Sequence, residues 1–196
     1  MIPAVYAVCK FGSWAYLRLT RGYRVVGAER IPATGPLILA CNHVSYFDPP
    51  ALGAAVPRPV SYMAKSELFA IPVLGPLIRA LGAFPVDRSR GDVAAMKAAV
   101  RVLQSGAVLG IFPEGGRNLD GTKVPQMGVA LVASWSGATV IPAHVSGTSH
   151  GKGAGPVIVS FGEPLRFAPG QKARREDLAK WTDELMGRIY ALRETH

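Results

Sequence analysis

A chain of 196 residues, 49% hydrophobic and 18% charged, has the length and balance of one globular domain with a substantial core, which excludes disorder as its main state. Its 22 glycines and 16 prolines are scattered singly as turn punctuation, which disfavours a long-helix bundle, and two cysteines, Cys9 and Cys41, exclude a disulfide framework or a thiolate zinc site. The net charge of +9 favours an anionic partner such as nucleic acid, a phosphorylated metabolite, coenzyme A or an anionic lipid surface, without choosing among them.

The first element, over about 3–20, is an aromatic and basic amphipathic helix with Phe11, Trp14, Tyr16 and Leu19, and with Lys10, Ser13, Arg18 and Arg21 in one broad sector of the wheel. No acid precedes Glu29. Two readings stand: an interfacial anchor whose cations face anionic lipid, or a terminal helix packed on the core. No apolar stretch reaches the ~18 residues of a spanning helix, and Met1-Ile2-Pro3 lacks the positive start of a secretory signal. A protein of the cytosol or its membranes is expected.

Beyond Arg21, short apolar runs bounded by Gly, Pro or polar clusters alternate with helical periodicity, the rhythm of an α/β domain. Strands are expected at 23–28, 37–41, 60–64, 83–86, 107–112, 139–145 and 157–161, although Pro142 sits awkwardly within the sixth. Helices are expected at 49–55, 93–104, 127–136 and 175–193, the last with Leu178, Trp181, Leu185, Ile189 and Leu192 on one stripe.

Four of these strands end in residues that can carry chemistry. Asn42-His43-Val44-Ser45-Tyr46-Phe47-Asp48-Pro49 follows the strand at 37–41. On a continuous helix the five-residue offset would hold His43 and Asp48 about 140° apart, so they meet only across a turn, with Asp48 as N-cap and Pro49 as first helical residue. Lys65-Ser66-Glu67-Leu68 follows the next strand, and Asp87-Arg88 the one after. Phe112-Pro113-Glu114-Gly115-Gly116-Arg117 follows the run at 107–112; the glycines allow close backbone approach and Arg117 can fork onto phosphate oxygens. Open parallel sheets bind ligands at the carboxyl ends of their strands, and all four groups share that edge. The cast is a His–Asp pair for proton transfer and Lys65, Arg88 and Arg117 for an anion. His144 and His150 show no metal-ligand spacing, and no metal site is expected.

These blocks resemble the glycerolipid acyltransferases related to 1-acyl-sn-glycerol-3-phosphate acyltransferase (lysophosphatidate acyltransferase). His43-x4-Asp48 between Asn42 and Pro49 matches the family's first block. Lys65-x-Glu67-Leu68 with Pro72, Gly75, Gly82 and Asp87-Arg88 matches the second, Phe112-Pro113-Glu114-Gly115 with Arg117 the third, and Val140-Ile141-Pro142 the fourth. Gly116 stands where the family usually has Thr or Ser, and Gln126-Met127 precede Gly128 where a basic residue is common.

The resemblance implies a mixed, largely parallel sheet flanked by helices, divided into an N-terminal interfacial helix (1–22) and an acyltransferase domain (23–196). It implies direct transfer of a fatty acyl group from acyl-CoA or an acyl carrier protein to the free hydroxyl of a lysophospholipid. No cofactor or nucleic acid is implied, and the site is at an anionic membrane surface on the cytoplasmic face. His43, of reference pKa ~6.5, is then the general base and Asp48 its orienter. Lys65, Arg88, Gly115, Gly116 and Arg117 bind substrate, and Glu114 is a substrate-positioning carboxylate or the partner of one of those cations. The acceptor expected is 1-acylglycerol-3-phosphate, giving phosphatidic acid. Three rivals remain: an enzyme of the same family acting on another lysolipid or glycerol phosphate acceptor, a thiol hydrolase using Cys41, two residues from His43, and a non-enzymatic basic module binding membrane or nucleic acid, which leaves the His–Asp pair unexplained.

Overall fold

The computed structural model describes residues 1–86, 93–149, 155–167 and 173–193. Asp87, Arg88 and His150 lie outside the described residues. All seven expected strands form: β1 (Arg24–Val26), β2 (Leu37–Cys41), β3 (Val60–Lys65), β4 (Phe84–Val86), β5 (Val108–Ile111), β6 (Thr139–Ser146) and β7 (Ile158–Phe161). They make one sheet in the order β1-β7-β6-β2-β5-β3-β4, parallel at every pairing except β6 with β7.

The helices are α1 (Pro3–Arg21), α2 (Asp48–Ala55), α3 (Leu74–Ala80), α4 (Val93–Gln104), α5 (Gly128–Ser136) and α6 (Arg175–Ala191). Among the described α-helices, sequence reasoning missed α3, whose Gly75 and Pro76 read as breakers. Strand side chains alternate between faces, so β2 feeds both halves of the core. Leu37, Leu39 and Cys41 join Leu17 of α1 and Leu52 of α2 on one face. Ile38 and Ala40 join Leu103 of α4, Val132 of α5 and Ile189 of α6 on the other. Burial of β2 on both faces explains why it reads as a continuous apolar run.

Pro142 is accommodated by a break in pairing. Val140 bonds Leu165 in both directions, and the regular β6–β7 ladder begins only at Ala143. Pro142 falls between them, where its carbonyl accepts from Gly162 and no N–H is required.

α1 packs on α2, and two of its cations turn inward where the sequence expectation faces them to lipid, while Arg18 stays exposed. Lys10 donates to the Val56 carbonyl at 2.6 Å and Arg21 donates to the Gly147 carbonyl, so both cations point at the protein. The outward face carries Val8, Phe11 and Leu19, which are 72%, 65% and 84% exposed, together with exposed Arg18. A helical wheel shows which residues share a face; which face turns inward depends on carbonyl acceptors elsewhere in the chain. No described helix is long and apolar enough to cross a membrane.

Candidate active site

Because β2, β3, β4 and β5 run parallel, His43, Lys65 and the loop after β5 leave the sheet at one edge, as the sequence pattern implies. Asp48 sits beneath that edge and is fully buried. It opens α2 instead of preceding it, with Phe47 at the cap position, and its carboxylate folds back over the turn. Oδ2 accepts from the backbone N–H groups of Val44 and Ser45, both at 2.7 Å, and from His43 Nδ1 at 2.9 Å. Oδ1 accepts from the Thr148 hydroxyl at 2.5 Å. A buried carboxylate needs such a set of donors to remain charged.

With a carboxylate oxygen at Nδ1, the ring proton sits on Nδ1 and leaves Nε2 as the basic nitrogen. No protein partner occupies Nε2 among the described residues. The ring lies on Phe112, centroids 4.3 Å apart, and Phe112 in turn stacks against Tyr62 at 6.0 Å. Gly110 makes room for that stack, since a Cβ there would lie 2.3 Å from the Tyr62 ring. The His43 side chain is 13% exposed, enough for one edge to meet a reactant.

Glu114 is buried against the backbone of His43. It is 3% exposed and meets no cation among the described residues. Oε2 accepts from the backbone N–H of His43 at 2.5 Å; Oε1 accepts from Tyr190 Oη at 2.5 Å and Asn118 Nδ2 at 3.1 Å. Asn118 N–H donates to the His43 carbonyl at 2.6 Å, so the loop after β5 grips both backbone groups of His43. Glu114 therefore holds the turn that carries the histidine. Burial, and then the bond to Glu114, pushes the Tyr190 phenol up to about 12.

Arg117 lies near the mouth of the site, its guanidinium 3.7 Å from the centroid of the exposed Tyr46 ring and bonded to Tyr46 Oη at 2.9 Å. Gly115 takes the left-handed conformation, φ 67°, and Gly116 and Arg117 follow it in the loop. Lys65 is exposed at the end of β3, and no hydrogen bond joins it to His43 or Arg117 among the described residues. Cys41 is fully buried and donates to Asn42 Oδ1. Burial, with the charges of Asp48 and Glu114 adding, pushes its thiol well up, the opposite of what a nucleophilic thiolate needs.

Sequence reasoning missed Thr148, Asn118 and Tyr190. Thr148 lies just past the end of β6 on the same edge, which the strand-end rule could have flagged. Tyr190 belongs to α6, whose apolar stripe drew the eye to the core, and carries no local signal.

The model of the acyltransferase family matches residues 22–146, from just before β1 to the end of β6. The chain belongs to the acyltransferase family. The acyltransferase is 32% identical over 193 residues to the 1-acyl-sn-glycerol-3-phosphate acyltransferase of Bacillus subtilis, covering 96% of each chain. It is also 32% identical, over 146 residues, to the enzyme of the same name from Streptococcus pneumoniae, covering 72% of this chain but 54% of that one. The crystal structure of the 1-acyl-sn-glycerophosphate (LPA) acyltransferase PlsC from Thermotoga maritima superposes with a TM-score of 0.74 at 28% identity, covering 97% of this chain and 79% of that one. The thiol-hydrolase and non-enzymatic readings do not survive the buried thiol and the family.

Proposed function

We propose that this acyltransferase moves a fatty acyl group from a thioester, on coenzyme A or an acyl carrier protein, to the free hydroxyl of 1-acylglycerol-3-phosphate, forming phosphatidic acid. The observation that carries the reading is the His43–Asp48 pair, held at 2.9 Å through Nδ1, on a histidine whose side chain stays 13% exposed. Names of the relatives supply the acceptor.

In this reading His43 Nε2 takes the hydroxyl proton as the oxygen attacks the thioester carbonyl. Asp48 holds the tautomer and stabilises the imidazolium. The tetrahedral intermediate collapses by expelling the thiolate, which recovers the proton from His43, and the base is regenerated. Arg117, with Lys65 and Arg88, grips the acceptor phosphate, while Gly115 and Gly116 let that phosphate approach the backbone. Glu114 acts through the His43 backbone. The exposed Val8, Phe11 and Leu19 of α1, with exposed Arg18 beside them, support residence at the membrane, on the cytoplasmic side where acyl thioesters are made.

Release of free thiol from acyl-CoA or acyl carrier protein, followed with and without 1-acylglycerol-3-phosphate, tests the reading. Thiol release that depends on the phosphorylated acceptor is expected, and Arg117→Lys should raise KM for that acceptor more than for the thioester, since a point charge does not replace a planar fork. Thiol release independent of acceptor would overturn it.

A further inference from the structure

Residues 70–77, Ala-Ile-Pro-Val-Leu-Gly-Pro-Leu, contain no polar side chain, and every one except Gly75 is exposed. Val73 is 82% exposed and Ile71, Leu74 and Leu77 are 44%, 36% and 38% exposed. Apolar surface this continuous is unfavourable in water and marks an interaction site.

The segment is also rigidly built. Leu74 N–H donates to the Pro72 carbonyl at 2.8 Å across Val73, whose φ of 67° and ψ of −52° describe a γ-turn. That conformation is rare, and for a β-branched residue it is strained. The turn is held by Gly75 N–H to Ile71 O and Leu77 N–H to Val73 O, and Gly75 lies so close to Phe69 that a Cβ would come within 2.3 Å of the Phe69 carbonyl.

Topology places the turn at the reactive edge. β3 ends at Lys65 and pairs in parallel with β4, so the chain leaves from the edge that carries His43 and α3 brings it back. β1 runs opposite to β2, because β7 is antiparallel to β6 and parallel to β1. The C-terminal end of α1 therefore approaches that same edge, while its N-terminus bonds the far end of α3 through Ile2 N–H to Ala80 O at 2.7 Å. Exposed Lys65 and Arg79 flank the apolar turn, and Arg79 lies 5.0 Å from the Phe69 ring centroid. Exposed Glu67 offsets one of these charges and leaves a net positive rim; an apolar tip with such a rim, beside a reactive edge, is complementary to acyl chains beneath anionic headgroups.

We propose that the 70–77 turn is a membrane-inserting element separate from α1, which enters the acyl layer of an anionic bilayer and holds the His43 edge against it. The proposal rests on the reading that the acceptor is a bilayer lipid.

The full chain carrying Cys9→Ser and Leu74→Cys, labelled at position 74 with an environment-sensitive fluorophore, is mixed with vesicles of equimolar phosphatidylcholine and phosphatidylglycerol. Blue-shifted emission quenched by lipids with nitroxides on their acyl chains is expected. Unlabelled Val73→Ser/Leu74→Ser should bind these vesicles about tenfold more weakly. It should lose turnover of vesicle-borne acceptor to match, while keeping turnover of a monomeric short-chain acceptor. A label that stays in water on bound protein, or an equal loss on both acceptors, overturns the proposal. So does a blue shift without lipid that grows with protein concentration, the mark of a second copy. Insertion of the label in a protein that turns over neither acceptor would overturn the functional reading and leave the inserting turn standing.

Discussion

Replacing Asp48 by Asn changes one charge in a carboxyl group that takes four donors. The amide oxygen can occupy the place of Oδ2 and still accept from Val44, Ser45 and His43, while the NH2 faces Thr148, whose hydroxyl can turn to accept. Geometry survives; charge does not. Bonds to an ionised acceptor contribute roughly 1.5–3 kcal/mol and neutral ones about 0.5–1.5, so the fold should lose about 1–3 kcal/mol. Catalysis should lose more, because the full attraction operates only after His43 has taken the proton. Opposite charges 2.9 Å apart attract by about 6 kcal/mol at an effective dielectric of about 20. The amide dipole retains part of this. A loss of about 4 kcal/mol corresponds to about a thousandfold in kcat. Steady-state transfer to 1-acylglycerol-3-phosphate should show that fall with KM for the acceptor nearly unchanged and a cooperative melt retained. A kcat within about tenfold of the wild type would refute the role given to the charge.

Glu114→Gln can meet the His43 N–H only by turning its NH2 toward Asn118 Nδ2, which cannot reverse while Asn118 Oδ1 accepts from Lys123 N–H; thermal or denaturant unfolding should show a loss of about 2–3 kcal/mol. Cys41→Ala should retain most transfer activity, and the Cys41 thiol should resist alkylation until the protein unfolds, as read by mass spectrometry. Alkali should destabilise the fold: burial raises the Tyr6, Tyr23, Tyr62 and Tyr190 phenols above 10, so the stability they contribute is complete below that pH and is lost as pH climbs through their folded values, about 12 for Tyr190. Lys10, lowered by burial, acts in the opposite sense as a single group, so Tm should fall above pH 10, and less steeply in Tyr190→Phe.

Much of this molecule is legible in its sequence because a sheet buried on both faces writes each strand as an apolar run that stops at a Gly, a Pro or a polar group. Reading those stops in parallel places His43, Lys65 and Arg117 on one edge before any coordinate is known. α3 is illegible for the same reason: Gly75 and Pro76 are breakers, yet Gly75 is there to pass the Phe69 backbone and Pro76 lies in the first turn of the helix, where a missing N–H does no harm. The inward cations of α1 depend on the Val56 and Gly147 carbonyls, 46 and 126 residues away in the chain. Thr148 reaches Asp48 across 100 residues, and Tyr190 reaches Glu114 across 76. Local pattern carries no record of such partners. Glu114 shows the other limit: its motif marks it as important, but only its burial shows that it serves the histidine backbone.

The most direct test of the central claim is single-residue removal of the base. His43→Ala should keep the fold, because Asp48 retains its two backbone donors and Thr148, and the N–H at position 43 can still bond Glu114. Acyl transfer from thioester to 1-acylglycerol-3-phosphate, measured on the folded variant beside the wild type, should fall by about a hundredfold to ten-thousandfold, the span of general-base catalysis. Turnover close to the wild-type rate in folded His43→Ala would contradict the mechanism.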